Sequence, residues 1–178
     1  MKTKITAELS RNSLKQAIKL LREFESNYQK GVHDSIKSAT EAMYNKVLQN
    51  CYENGISNHT SEIHWEYDDS KNIGRVWTND MVLIFNEMGT GVKGQNKPHP
   101  KADGWEYDIN GHGEQGWWYP TTDNDPNPIK RIGKDGQLRG WTAGLPSRRM
   151  FYDAYESMKN EIGDYVEIEL RKNIGNLY

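Results

Sequence analysis

The sequence predicts an α+β fold: a small antiparallel β-sheet packed against a long N-terminal helix and a C-terminal helix, with a long Gly/Trp-rich insert. Three observations predict it. Near both ends apolar residues recur every three or four positions, the period of a helix that buries one face. Between them two short runs alternate apolar and polar residues around a turn, the period of a half-buried strand. From about 92 to 140 both periods vanish, and glycine, proline and tryptophan crowd the chain. At 178 residues the chain is expected to form a single domain, 1–178, carrying that insert.

The elements follow in order. "KITAEL" (4–9) alternates and is β-branched, so it reads as a short first strand. Ser10, Asn12 and Ser13 offer N-caps. Leu14, Ile18, Leu21 and Phe24 then predict a first helix over about 12–28. Gly31 reads as punctuation, and Val32, Ile36, Ala39, Met43, Val47 and Cys51 form one stripe along a second helix, about 31–53, closed by Gly55. That stripe is expected to face the last helix and the hairpin, which makes Cys51 a small core side chain and not a nucleophile. "SEIHWEYDD" and "IGRVWTND" alternate around "DSKN", the chemistry of a hairpin turn. Asp80 can cap a short helix through "MVLIFNEM" ending at Gly89; a buried strand is the other reading of that run. "GWEYDINGHGEQGWWYP" suggests a second hairpin with "NGHGEQG" as its loop, and "TTDNDPNPIKRIGKDGQLRG" suggests a surface loop. Met150, Ala154, Met158, Ile162 and Val166 predict a final helix over about 147–171, weakest at Gly163.

Composition narrows the function classes. Formal net charge is −2 with both signs interspersed, so the basic bias of a dedicated nucleic-acid binder is missing. One cysteine excludes an intrachain disulfide and fits synthesis in a reducing cytoplasm. No apolar leader opens the sequence, and no run approaches the ~18 residues of a membrane-spanning helix. Six tryptophans and ten tyrosines supply much of the core material, and such side chains also serve interfaces.

Motif chemistry is sparse. Gly89, Gly91 and Gly94 have dinucleotide-loop spacing, but Pro98 and Pro100 occupy the stretch where the required helix would begin. "DNDPN" (123–127) opens like a calcium loop, yet Pro128 and Lys134 stand where glycine and a bidentate glutamate belong. His59, His64, His99, His112 and Cys51 lack the paired spacing of zinc ligands. Glu87 with His112 or Glu114 is the one catalytic pairing imaginable, and spacing does not support it. No catalytic residue, metal or cofactor is therefore expected. A carbohydrate- or cell-wall-binding module using the tryptophans, and a Glu/His hydrolase, stay open as alternatives.

"VWTNDMVLIFNEMGTG" places an acidic residue directly before a Gly-Thr-Gly corner. "TAGLPSRRMFYDAYESM" later brings a Gly-x-Pro corner, basic residues and aromatics into a terminal helix, and "HP…GWEY…G…GWWYP" lies between. This combination resembles the tail-completion, or head–tail joining, proteins of long-tailed phages, and it runs in order over essentially the whole chain. Two departures stand out: Arg149-Met150-Phe151 replaces the family's usual Pro-Phe, and the 92–140 insert is longer than in minimal members. The resemblance implies a structural virion protein and not an enzyme: a homo-oligomeric ring, hexameric, at the head-proximal end of the tail. Its implied partners are the tail tube protein and head-completion or connector proteins, with DNA passing through the ring and no membrane or specific nucleic-acid binding. Its implied places are the host cytoplasm during assembly and then the virion tail and neck. Glu87, Gly89, Thr90, Gly91, Trp105, Trp117, Trp118, Tyr119, Arg148 and Arg149 are the residues expected at subunit or partner interfaces. Glu87 has a second reading, as a carboxylate accepting backbone N–H bonds within its own subunit. The subunit is expected to be monomeric or weakly associated when isolated.

Overall fold

The computed structural model describes residues 11–108, 111 and 115–175. The expected first strand, 4–9, and the residues His112 and Glu114 lie outside the described residues. The elements run α1 (Arg11–Glu53), a 3-10 turn (Ser57–Glu62), β1 (Ile63–Asp68), β2 (Ile73–Thr78), α2 (Met81–Met88), α3 (Gly91–Asn96), β3 (Trp117–Pro120), β4 (Lys130–Ile132), β5 (Leu138–Thr142) and α4 (Met150–Ile174). This is a mixed α+β architecture with a two-stranded sheet, β1-β2, and a three-stranded sheet ordered β3-β5-β4. The chain divides into two compact units: Met1–Asn45 with Trp65–Val76 and Tyr155–Tyr178, and Lys46–His64 with Trp77–Ala154. The long helices and the first hairpin contribute residues to both.

In the first unit the expected break at Gly31 is absent, and α1 is one helix of 43 residues. The glycine serves close approach instead. A Cβ there would fall 2.8 Å from Leu170 Cδ2 and 3.3 Å from the Leu170 Cα, so α4 lies against α1 at this point. The contact is pinned by polar bonds: the Lys30 ammonium donates to Asn173 Oδ1 at 3.0 Å, and Asn173 Nδ2 donates to Asp34 at 3.2 Å. Buried Ser35 returns its hydroxyl proton to the Gly31 carbonyl at 2.6 Å. Among the described residues of this unit Ala39 and Met158 are the buried apolar side chains, while Val32, Ile36 and Met43 of the expected stripe are half-buried. The hairpin alternates as its sequence predicts: Trp65, Tyr67 and Val76 are partly covered, and Glu66 and Arg75 are exposed and paired at 3.0 Å.

In the second unit α1 ends as "ENG" predicts. Gly55 N–H bonds the Tyr52 carbonyl at 3.1 Å and Ile56 N–H bonds that of Cys51 at 2.9 Å, the paired closure of a Schellman motif. The core gathers Val47, Cys51, Ile56, Ile63, Leu83, Met150 and Ala154. α2 is the helical reading of "MVLIFNEM": the Asp80 carboxylate accepts from Leu83 N–H at 2.8 Å, and Gly89 ends it at φ 84°. Two expectations for the insert are corrected. β3 pairs with β5 (Trp117↔Thr142 to Pro120↔Arg139) and not with the stretch at 104–108. The expected surface loop holds two strands, β4 and β5, in register Lys130↔Gly140 to Ile132↔Leu138. Gly140 weakens β5 as a sequence signal, yet the Tyr119 ring lies where its Cβ would be, 2.8 Å away, and packs the gap from across the ladder. A short helix, α3, also forms inside the glycine pattern, ahead of the prolines.

Candidate functional site: the Gly-Thr-Gly corner

The corner is built around Glu87 on the last turn of α2. Its carboxylate accepts the Phe151 N–H at Oε2 and the Tyr152 N–H at Oε1, both at 2.9 Å. These are two of the amide groups that the first turn of a helix leaves without intrahelical partners. Arg149, at the N-cap position of α4, has φ 51° and a side chain that cannot accept a hydrogen bond. Glu87 supplies the missing cap from another element, with its negative charge at the positive end of α4.

His99 completes the arrangement. Its ring is buried and packs edge-on to Tyr152, with centroids 5.2 Å apart. Nδ1 accepts from Lys101 N–H at 3.0 Å, which leaves Nε2–H to donate to Glu87 Oε1 at 3.1 Å. Glu87 thereby accepts three hydrogen bonds, two at Oε1 and one at Oε2. Glu87 also bears on Cys51: burial first, and then the Glu87 charge, push its thiol up to about 11, so it stays protonated and inert.

The glycines give the corner its shape. Thr90 and Leu145 exchange backbone hydrogen bonds at 2.8 and 3.0 Å, so the insert leaves and re-enters the core at one place. Gly91 sits at φ 59°, and a Cβ on it would lie 2.7 Å from the Ala143 carbonyl oxygen and 2.9 Å from the Trp117 ring. Gly91 N–H reaches the Tyr107 carbonyl at 2.7 Å, and Trp105 donates its indole N–H to the Gly89 carbonyl at 3.0 Å. Ser147 Oγ donates to the Glu87 carbonyl at 2.6 Å. Arg148 is tied internally, by its N–H to the Asn86 carbonyl at 2.8 Å and by its guanidinium to the Asn54 carbonyl.

Glu87, Gly89, Thr90, Gly91, Trp105, Trp117 and Arg148 thus meet in one place, as parts of a single intramolecular joint. Arg149 is exposed and faces Asp153 at 3.6 Å. Trp118 and Tyr119 lie farther out, on opposite faces of β3. Arg131 stacks over the Trp118 ring at 3.9 Å. Tyr119 donates to Asp125 at 2.7 Å and accepts from Asn127 at 3.0 Å. Thr121, Tyr119 and the Asn127 N–H hold the Asp125 carboxyl down to about 2. Sequence reasoning missed His99, Ser147 and Asn127. For Asn127 a signal existed, since "DNDPN" has the composition of side-chain-to-backbone turns even though it fails as a calcium loop. Among the described residues no group of three or more His, Cys, Asp or Glu side chains is placed to hold a metal ion.

Set against known protein families, curated proteins and solved structures, the chain matches none.

Proposed function

We propose that the chain is a structural virion protein of a long-tailed phage or prophage: a tail-completion, head–tail connector subunit that forms a ring at the head-proximal end of the tail. The observation that carries the reading is the meeting of the two stretches on which the resemblance rests. Glu87 of "EMGTG" caps the helix opened by "SRRMFY", across 64 positions of sequence. Two motifs that define one joint support a mechanical role: the joint fixes where the insert leaves the core and presents it to neighbours. The ring is taken as hexameric on the resemblance alone, with the tail tube and head-completion proteins as its other partners.

The alternatives have less to draw on. A glycan platform needs open aromatic faces, and of the six tryptophans only Trp77 is exposed, at 39%. A hydrolase needs a carboxylate or imidazole free to take a proton, and Glu87 and His99 spend their acceptors on backbone amides. Deleting the gene from the phage or prophage that carries it tests the proposal. DNA-filled heads and separate tails are expected in micrographs of the lysate; intact infectious particles would overturn it.

A further inference from the structure

In the first unit one histidine lies between α1 and the turn of the first hairpin. His33 stands on α1, half-buried, and each of its ring nitrogens lies against a carboxylate. Nδ1 is 3.2 Å from Asp34 Oδ1 on the same helix, and Nε2 makes an ion-pair contact with Asp69 Oδ1 on the β1-β2 turn. The Tyr67 ring packs edge-on against the imidazole, with centroids 4.7 Å apart, and its hydroxyl donates to Asn72 Oδ1 at 2.7 Å. The imidazole thus meets the helix on one side and the turn on the other.

Proton count decides what this arrangement can do. An ionised carboxylate only accepts, and a neutral imidazole has one N–H and one lone pair. A neutral His33 therefore serves one carboxylate and turns a lone pair toward the other, whereas an imidazolium donates to both. Negative charge gathers here: burial first, and then the charges of Asp69, Asp34 and Asp68, push the Tyr67 phenol up. The neighbouring cations are engaged elsewhere. Lys30 lies 3.7 Å from Asp34 Oδ2, and Lys71 pairs with Asp68 at 3.0 Å. Lys37, one turn along α1, is exposed. From α4, Asn173 donates to Asp34 at 3.2 Å, and Glu169 is matched by Lys172 at 2.7 Å. Among the described residues Asp69 has His33 as its cationic partner.

We propose that His33 is a pH-operated clasp between α1 and the β1-β2 turn. While the ring carries both protons it bridges Asp34 and Asp69, and the turn is shut against the helix. As pH rises and one proton leaves, the ring keeps Asp34, its neighbour on α1. It releases Asp69, whose side chain is 77% exposed and turns into water. The clasp therefore holds on the acid side of the His33 titration and opens on the alkaline side. The two elements border an open cleft of about 610 Å³, lined by Tyr28, Gln29, Lys30 and Val32 on α1 and by Asn72 on the turn. Opening the clasp widens that cleft from the turn side. The inference uses the first unit alone and does not rest on the virion role.

NMR of the full chain between about pH 5 and 8 tests it. In the wild type the carboxyl carbon of Asp69 should shift over the same range as the His33 ring nitrogens. The Ser70 and Lys71 amides bond Asp68 within the turn. Their exchange, corrected for the intrinsic rate, should quicken roughly 1.4–5-fold over that range, the span of an exposed ion pair. His33→Gln carries no titrating proton and should flatten both curves. Asp69→Asn, on an exposed turn, should flatten the exchange curve while His33 still titrates. An Asp69 carbon that ignores the His33 titration overturns the proposal. So does corrected exchange that rises equally in wild type and His33→Gln.

Discussion

Replacing Glu87 isolates the cap on α4. Glu87→Ala removes the acceptor of Phe151 N–H, Tyr152 N–H and His99 Nε2–H at once. The site is closed to solvent, with the Glu87 and His99 side chains 12% and 5% exposed. Each buried donor left without a partner costs about 1–3 kcal/mol. The three losses are not additive, because water entering the gap left by the shorter side chain can serve one of them. A total of about 3–5 kcal/mol is therefore expected, above the usual cost of a lost N-cap. Glu87→Gln separates charge from shape. Its amide oxygen still accepts, but its NH2 must face a donor, and the negative charge at the helix N-terminus is gone; about 1–2 kcal/mol is expected. Urea unfolding followed by tryptophan fluorescence gives both values, with unchanged m showing that the unfolded state is not the cause. Equal stability of wild type and Glu87→Gln, or a loss below about 1 kcal/mol for Glu87→Ala, would refute the capping argument.

Three further outcomes are expected. Asp125 is held down to about 2 by Thr121, Tyr119 and the Asn127 amide, so its contribution is complete above the ordinary aspartate range and is lost as pH falls through about 2; amide exchange around β3 should rise over that window, and Asp125→Asn should abolish the step. Cys51, with its thiol pushed up to about 11 by burial, should resist thiol reagents in the native protein and react fully in denaturant; ready labelling of native protein would contradict its place beside Met150 Sδ, 3.7 Å away. Gly31→Leu should destabilise by about 1–3 kcal/mol through overpacking against Leu170, despite leucine's better helix propensity; a stabilised variant would show that the helices are not in contact there.

Local chemistry made the hairpin, α2 and the end of α1 readable, because alternation, Asp80 with Gly89, and "ENG" each encode their element within a few residues. Gly31 misled for a physical reason: the residue that permits a break also permits a close helix contact, and only Leu170, far along the chain, decides which. β4 and β5 were hidden because three residues of "KRI" carry no period and Gly140 depends on a ring from the neighbouring strand. The joint was half legible. Glu87 and the glycines stood out, and intramolecular capping was one of the two roles open to Glu87. The partner His99 did not stand out, since an isolated histidine between two prolines carries no spacing signal.

The exchange of hydrogen bonds between Thr90 and Leu145 makes the intervening residues a closed excursion with a fixed doorway. The ends of α2 and α4 are then held at the doorway, with His99 and Trp105 reaching back to it from the excursion. Closing such a loop costs free energy that grows only with the logarithm of its length, about 0.6 kcal/mol per doubling. Residues 133–137, beyond the Ile132↔Leu138 rung that ends the β4-β5 pairing, are therefore a cassette: they can lengthen, shorten or be exchanged while the frame stays intact. A chain built this way can change what it presents to its surroundings far faster than it can change its fold.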